Sequence, residues 1–307
     1  MKRAARVGAA HGRDPCGILL LDKPAALSSN GALQHVRRLY GADKAGHTGS
    51  LDPLATGLLP ICLGEATKLS GYLLDADKRY VTRAAVGAST TTGDAEGEVV
   101  ARSDAAALTR AALEAVLPRF TGDLRQRPPM YSALKHDGQR LYELARQGLE
   151  VEREARPIRI EALRLLDCGP GWFELDVRCS KGTYIRTLVE DLAAAAGQCA
   201  HVASLRRLEA GPFRESAMVT AATLEQAAGQ GLPALDALLL DPLAGLAGWV
   251  RVTVDAAQAA RLAQGQALRL DPPPPPGRVA VVDAWPRLLG VAEVDGQGLL
   301  QPRRWLA

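Results

Sequence analysis

A chain of 307 residues has room for about two domains at roughly 150 residues each, and its 47% hydrophobic content can build cores without covalent staples. A net charge of +3 with 23% charged residues excludes both a disordered polyelectrolyte and a uniformly basic nucleic-acid coat, so any basic surface must be local. The five cysteines (Cys16, Cys62, Cys168, Cys179, Cys199) form no C-x-x-C pair, which argues against a disulfide framework or zinc knuckle and for a reducing cytosol.

Lys2, Arg3, Arg6 and Arg13 precede the first acid, Asp14, and the apolar stretch at residues 7–10 is too short for a signal peptide, so residues 1–16 read as a basic flexible tail. Gly17-Ile-Leu-Leu-Leu-Asp22-Lys23-Pro24 predicts a buried strand stopped by proline. Ser28-Ser29 then offer N-caps to a helix with Leu33, Val36 and Tyr40 on one face, closed by Gly41. Residues 46–57 are too rich in Gly and Pro for a regular element, and a helix is expected around Ala66, Leu69 and Leu73.

A strand over residues 79–86 and an amphipathic helix marked by Leu113, Val116, Leu117 and Phe120 continue a mixed α and β order. Arg119, Arg125, Arg127, Lys135 and Arg140 surround Pro128-Pro129 and Tyr131; this reads equally as a basic arm carrying an aromatic or as a solvated loop. Strands over 157–167 and 172–180 flank Gly169-Pro170-Gly171, and a helix over 183–196 follows. The greasiest segment, 232–250, is broken by Asp236, Asp241 and Pro242, so no bilayer span is expected. Beyond Trp249 come a strand at Val252-Thr-Val254, a helix over 255–263 closed by Gly265, and strands at 279–282 and 288–293 before an Asp295-Gly296 turn. This predicts a small β-rich domain with the Pro272 to Pro276 run as a polyproline II surface loop.

The glycine-rich loop lacks the G-x-x-x-x-G-K-[ST] phosphate cradle, and the chain has no G-x-S-x-G, H-E-x-x-H or strand-borne G-x-G-x-x-G. Asp52 remains as the candidate reactive group. The chain carries its own control, because Leu240-Asp241-Pro242-Leu243-Ala244 repeats Leu51-Asp52-Pro53-Leu54-Ala55, and a carboxylate before proline is ordinarily a turn former or cap. Context separates the two: Asp52 lies between His47-Thr48-Gly49 and Thr56-Gly57, where glycines would let a ligand backbone approach, whereas Asp241 lies in an apolar stretch.

Several segments resemble the bacterial TruB family of tRNA pseudouridine synthases, which modify uridine 55 in the T-loop. They are residues 17–24, the loop His47-Thr-Gly-Ser-Leu-Asp-Pro-Leu-Ala-Thr-Gly57, Asp77-Lys-Arg-Tyr80, Pro129-Met-Tyr-Ser-Ala-Leu-Lys135, Arg156-Pro-Ile158, Cys179-Ser-Lys-Gly-Thr-Tyr-Ile-Arg186 and residues 201–208. The resemblance spans roughly residues 17–214. It implies an α+β fold: a catalytic domain over 17–248 on a mixed, mainly antiparallel sheet, with an RNA-clasping insertion at about 127–156. A small β-barrel, PUA-like RNA-binding domain would occupy 249–307.

The resemblance further implies an isomerase needing no cofactor and no metal, in which Asp52 is the nucleophile, ionised and paired with Arg186, which lowers its pKa. Tyr80 would stack on the extruded uracil and accept a proton, His47 would enter the T-loop, and Tyr184 and Leu205 would wall the pocket. Lys23 would support the site. The expected partner is the T-arm of tRNA, with a monomeric enzyme in the cytoplasm and no membrane or nucleotide cofactor. Thr90-Thr91-Thr92 departs from the family's Thr-Asp-Thr, which leaves no acid expected there. A non-catalytic tRNA-binding or folding protein on the same scaffold is the alternative; it would need a basic surface and Tyr80 but not Asp52.

Overall fold

The computed structural model describes residues 14–306, so most of the basic tail lies outside the described residues and only 14–16 are seen, in irregular backbone. Strand β1 (Gly17–Lys23) is buried almost throughout. Helix α1 (Ser29–Tyr40) is capped by Ser28, whose hydroxyl accepts from the Gly31 N–H at 3.0 Å, and ends at left-handed Gly41 as expected. Strands β2 (Ala45–His47) and β3 (Thr56–Leu63) bracket the glycine-rich loop. The composition of residues 46–57 conceals both strands. In β3 every residue from Gly57 to Leu63 is buried, so no polar alternation marks it, and Pro60 disguises it further.

The helix expected next is a 3-10 turn (Gly64–Leu69) running into the short α2 (Ser70–Leu74). Strand β4 (Lys78–Val86) leads to a separate hairpin, β5 (Ala88–Thr90) and β6 (Val99–Arg102). Helix α3 (Arg110–Val116) tightens into a 3-10 turn at Leu117–Phe120, where Pro118 removes an amide donor. Then come β7 (Gly122–Gln126), a small hairpin of β8 (Lys135–His136) and β9 (Gln139–Arg140), and α4 (Leu141–Arg146). Strands β10 (Arg156–Gly169) and β11 (Trp172–Cys179) pair across the Pro170-Gly171 turn.

Helix α5 (Ile185–Ala195) precedes β12 (Ala200–Ala210), a strand that period-2 reading misses because two register shifts interrupt its pairing with β4. Next are β13 (Phe213–Arg214), β14 (Val219–Thr220), α6 (Ala221–Gln230), α7 (Leu232–Asp236) and a 3-10 turn at Pro242–Leu246. The chain closes with β15 (Val250–Thr253), α8 (Ala256–Ala263), β16 (Leu268–Arg269), β17 (Gly277–Val282), β18 (Leu288–Val294) and β19 (Leu299–Trp305), the last also unanticipated.

The large sheet runs β14-β1-β3-β12-β4-β11-β10-β7, with β2 beside β3 and β13 beside β12. Only β1/β14 and β3/β12 are parallel, so the sheet is mixed and mainly antiparallel, as expected. One face packs against α1, α3, α5, α6 and α7 through residues such as Val36, Leu113, Val189, Leu224 and Leu235. Each such fully buried side chain contributes about 1.5–3 kcal/mol.

The C-terminal sheet, β15-β17-β18-β19-β16, forms a half-barrel of the PUA-like kind. It docks behind β1 and β3, where Ala280, Val282, Val291 and Leu306 share a core with Ile18, Leu20, Leu58 and Cys62. Lys68 Nζ donates to the Trp305 carbonyl at 2.6 Å, and Arg278 stands 5.3 Å over the Tyr72 ring. No described helix is long and apolar enough to cross a membrane, and all five cysteines are free.

Candidate active site

The loop between β2 and β3 carries Asp52, and buried side chains from three other elements hold it. From α1, the Ser29 hydroxyl donates to the Leu51 carbonyl at 2.8 Å and accepts the Leu51 N–H at 2.7 Å. From the end of β1, the fully buried Lys23 ammonium donates to the carbonyls of Pro24, Leu27 and, at 3.3 Å, Pro53. From β12, Arg207 donates to the carbonyls of Gly49 (3.0 Å) and Leu58 (2.7 Å). Asp52 is thereby flanked by anchored residues on both sides.

Gly57 is the one glycine of this loop at which a close backbone approach requires glycine. Its φ is 98°, and a Cβ there would lie 2.3 Å from the Arg207 carbonyl oxygen. The close approach is therefore to the chain's own β12, not to a ligand backbone as the sequence suggested. The internal control holds: Asp241 is an N-cap, its carboxylate accepting the Leu243 N–H at 2.7 Å.

Arg186, in the first turn of α5, reaches Asp52 with two nitrogens, Nε to Oδ2 at 2.9 Å and Nη2 to Oδ1 at 3.4 Å. Its other donors are spent on the Thr92 carbonyl (2.6 Å) and the Tyr131 carbonyl (2.7 Å). The Arg186 side chain is 5% exposed and that of Asp52 40% exposed, so the cation is sealed behind a carboxylate that faces the cleft. Asp94, 4% exposed, completes the arrangement: its Oδ2 stands 3.8 Å from Arg186 Nε, while its Oδ1 accepts from the Thr92 hydroxyl (2.6 Å) and the Glu96 N–H (3.1 Å). Sequence reasoning missed Asp94. The departure at Thr90-Thr91-Thr92 had left no acid expected in this segment, yet Asp94, two residues on, supplies one.

The electrostatics correct a second expectation. Burial pushes the Asp52 carboxyl up; Arg186 pulls it down and the Asp94 charge pushes it up again, and the net direction is upward. Arg186 therefore limits a rise instead of producing a depressed pKa. Burial also lowers Lys23 to about 8, although Asp52 and Glu96 oppose the fall.

Tyr80 lies on β4, directly opposite Val177 on β11 and Arg207 on β12, and is 9% exposed. Burial raises its phenol pKa, Arg207 opposes the rise and Asp52 adds to it. Tyr184 caps α5 with its backbone tied to Gln126, whose amide oxygen accepts the Tyr184 N–H at 2.8 Å and whose Nε2 donates to the Tyr184 carbonyl at 3.0 Å. Burial raises this phenol too, and it senses both Arg186 and Asp52. Leu205, 8% exposed, sits on β12 across from Thr82, next along from the Tyr80 position, and its carbonyl accepts from Thr56.

His47 is half-buried on β2 with an Nδ1 that has no partner, and burial followed by Arg207 lowers its pKa. Asp52, Arg186, Tyr80 and Tyr184 thus share one electrostatic neighbourhood, while His47 is coupled to Arg207 and Leu205 is a buried residue of β12. Among the described residues, no three His, Cys, Asp or Glu side chains converge as a metal-ligand set.

A buried arginine thus grips a half-exposed aspartate on the loop that enters β3, the strand parallel to β12 in a mixed sheet with a second sheet docked behind. Two solved structures share this overall fold. The chain superposes with a TM-score of 0.73 at 21% identity on a chain of a Cbf5-Nop10-Gar1 complex, covering 99% of this chain and 92% of that one. It superposes with a TM-score of 0.72 at 19% identity on a chain of an H/ACA RNP bound to a substrate RNA containing 2'-deoxyuridine, covering 95% and 86%.

Residues 37–185 match the TruB family pseudouridylate synthase N-terminal domain, residues 186–243 the tRNA pseudouridylate synthase B C-terminal domain, and residues 247–306 the pseudouridine synthase II TruB C-terminal domain. A tRNA pseudouridine synthase B of Stutzerimonas stutzeri is 55% identical over 293 residues, 95% of this chain and 96% of its own. Its counterpart in Nitrosococcus oceani is 50% identical, covering 95% of each. The chain belongs to the TruB family of pseudouridylate synthases and is an isomerase.

Proposed function

We propose that this enzyme converts uridine 55 in the T-loop of tRNA to pseudouridine, with Asp52 as nucleophile. The observation that carries the reading is the Asp52 carboxylate, open to the cleft and held from behind by the sealed Arg186. The C1′–N1 bond breaks as Asp52 meets the electron-poor sugar carbon; the uracil turns, and C5 joins C1′. A proton leaves C5 and one is gained at N1, so the isomerisation balances without an external reactant.

Arg186 favours the ionised form of Asp52 that this role requires, against the upward push of burial. Extruding the base from the folded loop costs a few kcal/mol, and stacking on Tyr80 with enclosure by Tyr184 and Leu205 offsets that cost. Burial raises the Tyr80 phenol pKa, so as the proton acceptor the phenol takes the C5 proton at its oxygen only as its own O–H proton is handed through water to the uracil N1, which gains one. His47 enters the T-loop and holds the extruded state.

Residues 17–248 form the catalytic domain and 249–307 the PUA-like RNA-binding domain of a monomer that works in the cytoplasm, with the arm at 127–156 clasping the T-arm. A tRNA-folding protein without catalysis would need the arm but not the Asp52–Arg186 pair. Incubating the enzyme with unmodified tRNA and no added cofactor, then mapping pseudouridine, tests the assignment: product at position 55 is expected, and none there overturns it.

A further inference from the structure

Arg207 is 1% exposed, and no carboxylate pairs with it among the described residues. A buried guanidinium held only by neutral acceptors is costly to keep, and its contacts indicate what it does. Nη2 and Nη1 donate to the carbonyls of Gly49 (3.0 Å) and Ser50 (3.4 Å), just before Asp52, and Nε donates to the carbonyl of Leu58 (2.7 Å), just after the loop. The same residue faces Tyr80 across the β12/β4 ladder. Its backbone also meets Gly57 so closely that no side chain fits there.

We propose that Arg207 is a positioning residue that fixes the Asp52 loop against Tyr80, so that nucleophile and stacking face keep one spacing. The proposal rests on the reading of Asp52 as the nucleophile. It assigns Arg207 no contact with RNA, because the guanidinium is sealed beneath the loop. Removing it should leave tRNA affinity and change the rate of the bound complex, since displacing a reacting group by about 1 Å can cost 100-fold.

The test compares Arg207→Met and Arg207→Lys in the full-length enzyme, by thermal unfolding, tRNA affinity and single-turnover rate at saturating tRNA. Arg207→Met should lower the saturated rate about 100-fold with affinity within about threefold, and Arg207→Lys, which keeps the charge and donates from one nitrogen in place of three, should recover at least about tenfold of it. A saturated rate within about threefold of wild type for Arg207→Met overturns the proposal, as does an equal loss of rate in both variants. If neither variant folds, Arg207 serves the fold alone and the proposal also fails. Asp52→Asn, run alongside, separates the two readings: turnover by that variant defeats the nucleophile assignment, whereas an inactive Asp52→Asn beside a fully active Arg207→Met defeats only the positioning role.

Discussion

Arg186 Nε lies 2.9 Å from Asp52 Oδ2, yet the aspartate's pKa is raised and not lowered, because burial and the nearby Asp94 outweigh the ion pair. Ionisation of Asp52 is therefore a tuned quantity, and activity should depend on it. The carboxylate is the active form, so the saturated rate should climb with pH along an acid limb lying above the ordinary aspartate range. Arg186→Gln should move that limb further up. Single-turnover rates across about pH 4 to pH 8 read the limb directly, and a limb at or below the usual aspartate value would contradict the burial argument.

Stability should respond with the opposite sign. A carboxyl whose folded pKa lies above its unfolded one binds more protons in the native state, so stability falls as pH rises from the unfolded pKa through the folded one. Asp52→Asn carries a fixed cost for leaving the sealed Arg186 without this carboxylate, but its melting temperature relative to wild type should rise as pH rises above the ordinary aspartate range, which calorimetry at several pH values checks.

Asp94 shares Arg186 Nε with Asp52, at 3.8 Å against 2.9 Å, and the Thr92 hydroxyl and Glu96 N–H hold it there. Asp94→Asn should reduce the saturated rate about 10- to 100-fold while tRNA affinity stays within a few-fold, because the guanidinium loses a partner and its orientation. Rates and affinities of the purified variant measure both quantities.

Much of this site is legible in the sequence where a residue's chemistry declares itself locally. Asp52 stands out against its copy at Asp241, and Ser28 and Gly41 mark the ends of α1. The remainder depends on contacts distant in sequence. Asp94 meets Arg186 92 positions away and Arg207 meets Gly49 158 positions away, and neither spacing leaves a pattern. Strand β3 is hidden for a different reason: buried on both faces and interrupted by Pro60, it shows no alternation.

Gly57→Ala should destabilise the protein by at least about 2 kcal/mol, since alanine combines an unfavourable positive φ with a Cβ driven into the β12 backbone. Gly171→Ala, at φ 78° with nothing near its Cβ, isolates the backbone cost alone and should be milder. Denaturant unfolding of the two variants gives the difference.

Arg127 and Lys135 are exposed on the arm and form no ion pair among the described residues, leaving both free to meet phosphates. Replacing both by Ala should weaken binding to all tRNAs nearly uniformly and flatten the log-log salt slope by about 0.7 to 0.9 for each phosphate no longer neutralised. The saturated rate should hold. Affinity measured at several salt concentrations, with the single-turnover rate alongside, reports each part.

Everything proposed for the reaction turns on Asp52, and not its sequence twin Asp241, performing the chemistry. The most direct measurement is pseudouridine formation at position 55 of tRNA by Asp52→Asn and Asp241→Asn under single-turnover conditions, with tRNA affinity determined for both. No product is expected from Asp52→Asn, with affinity within a few-fold of wild type, and nearly full activity is expected from Asp241→Asn. Substantial turnover by Asp52→Asn, or an equally deep loss at Asp241, would contradict the assignment.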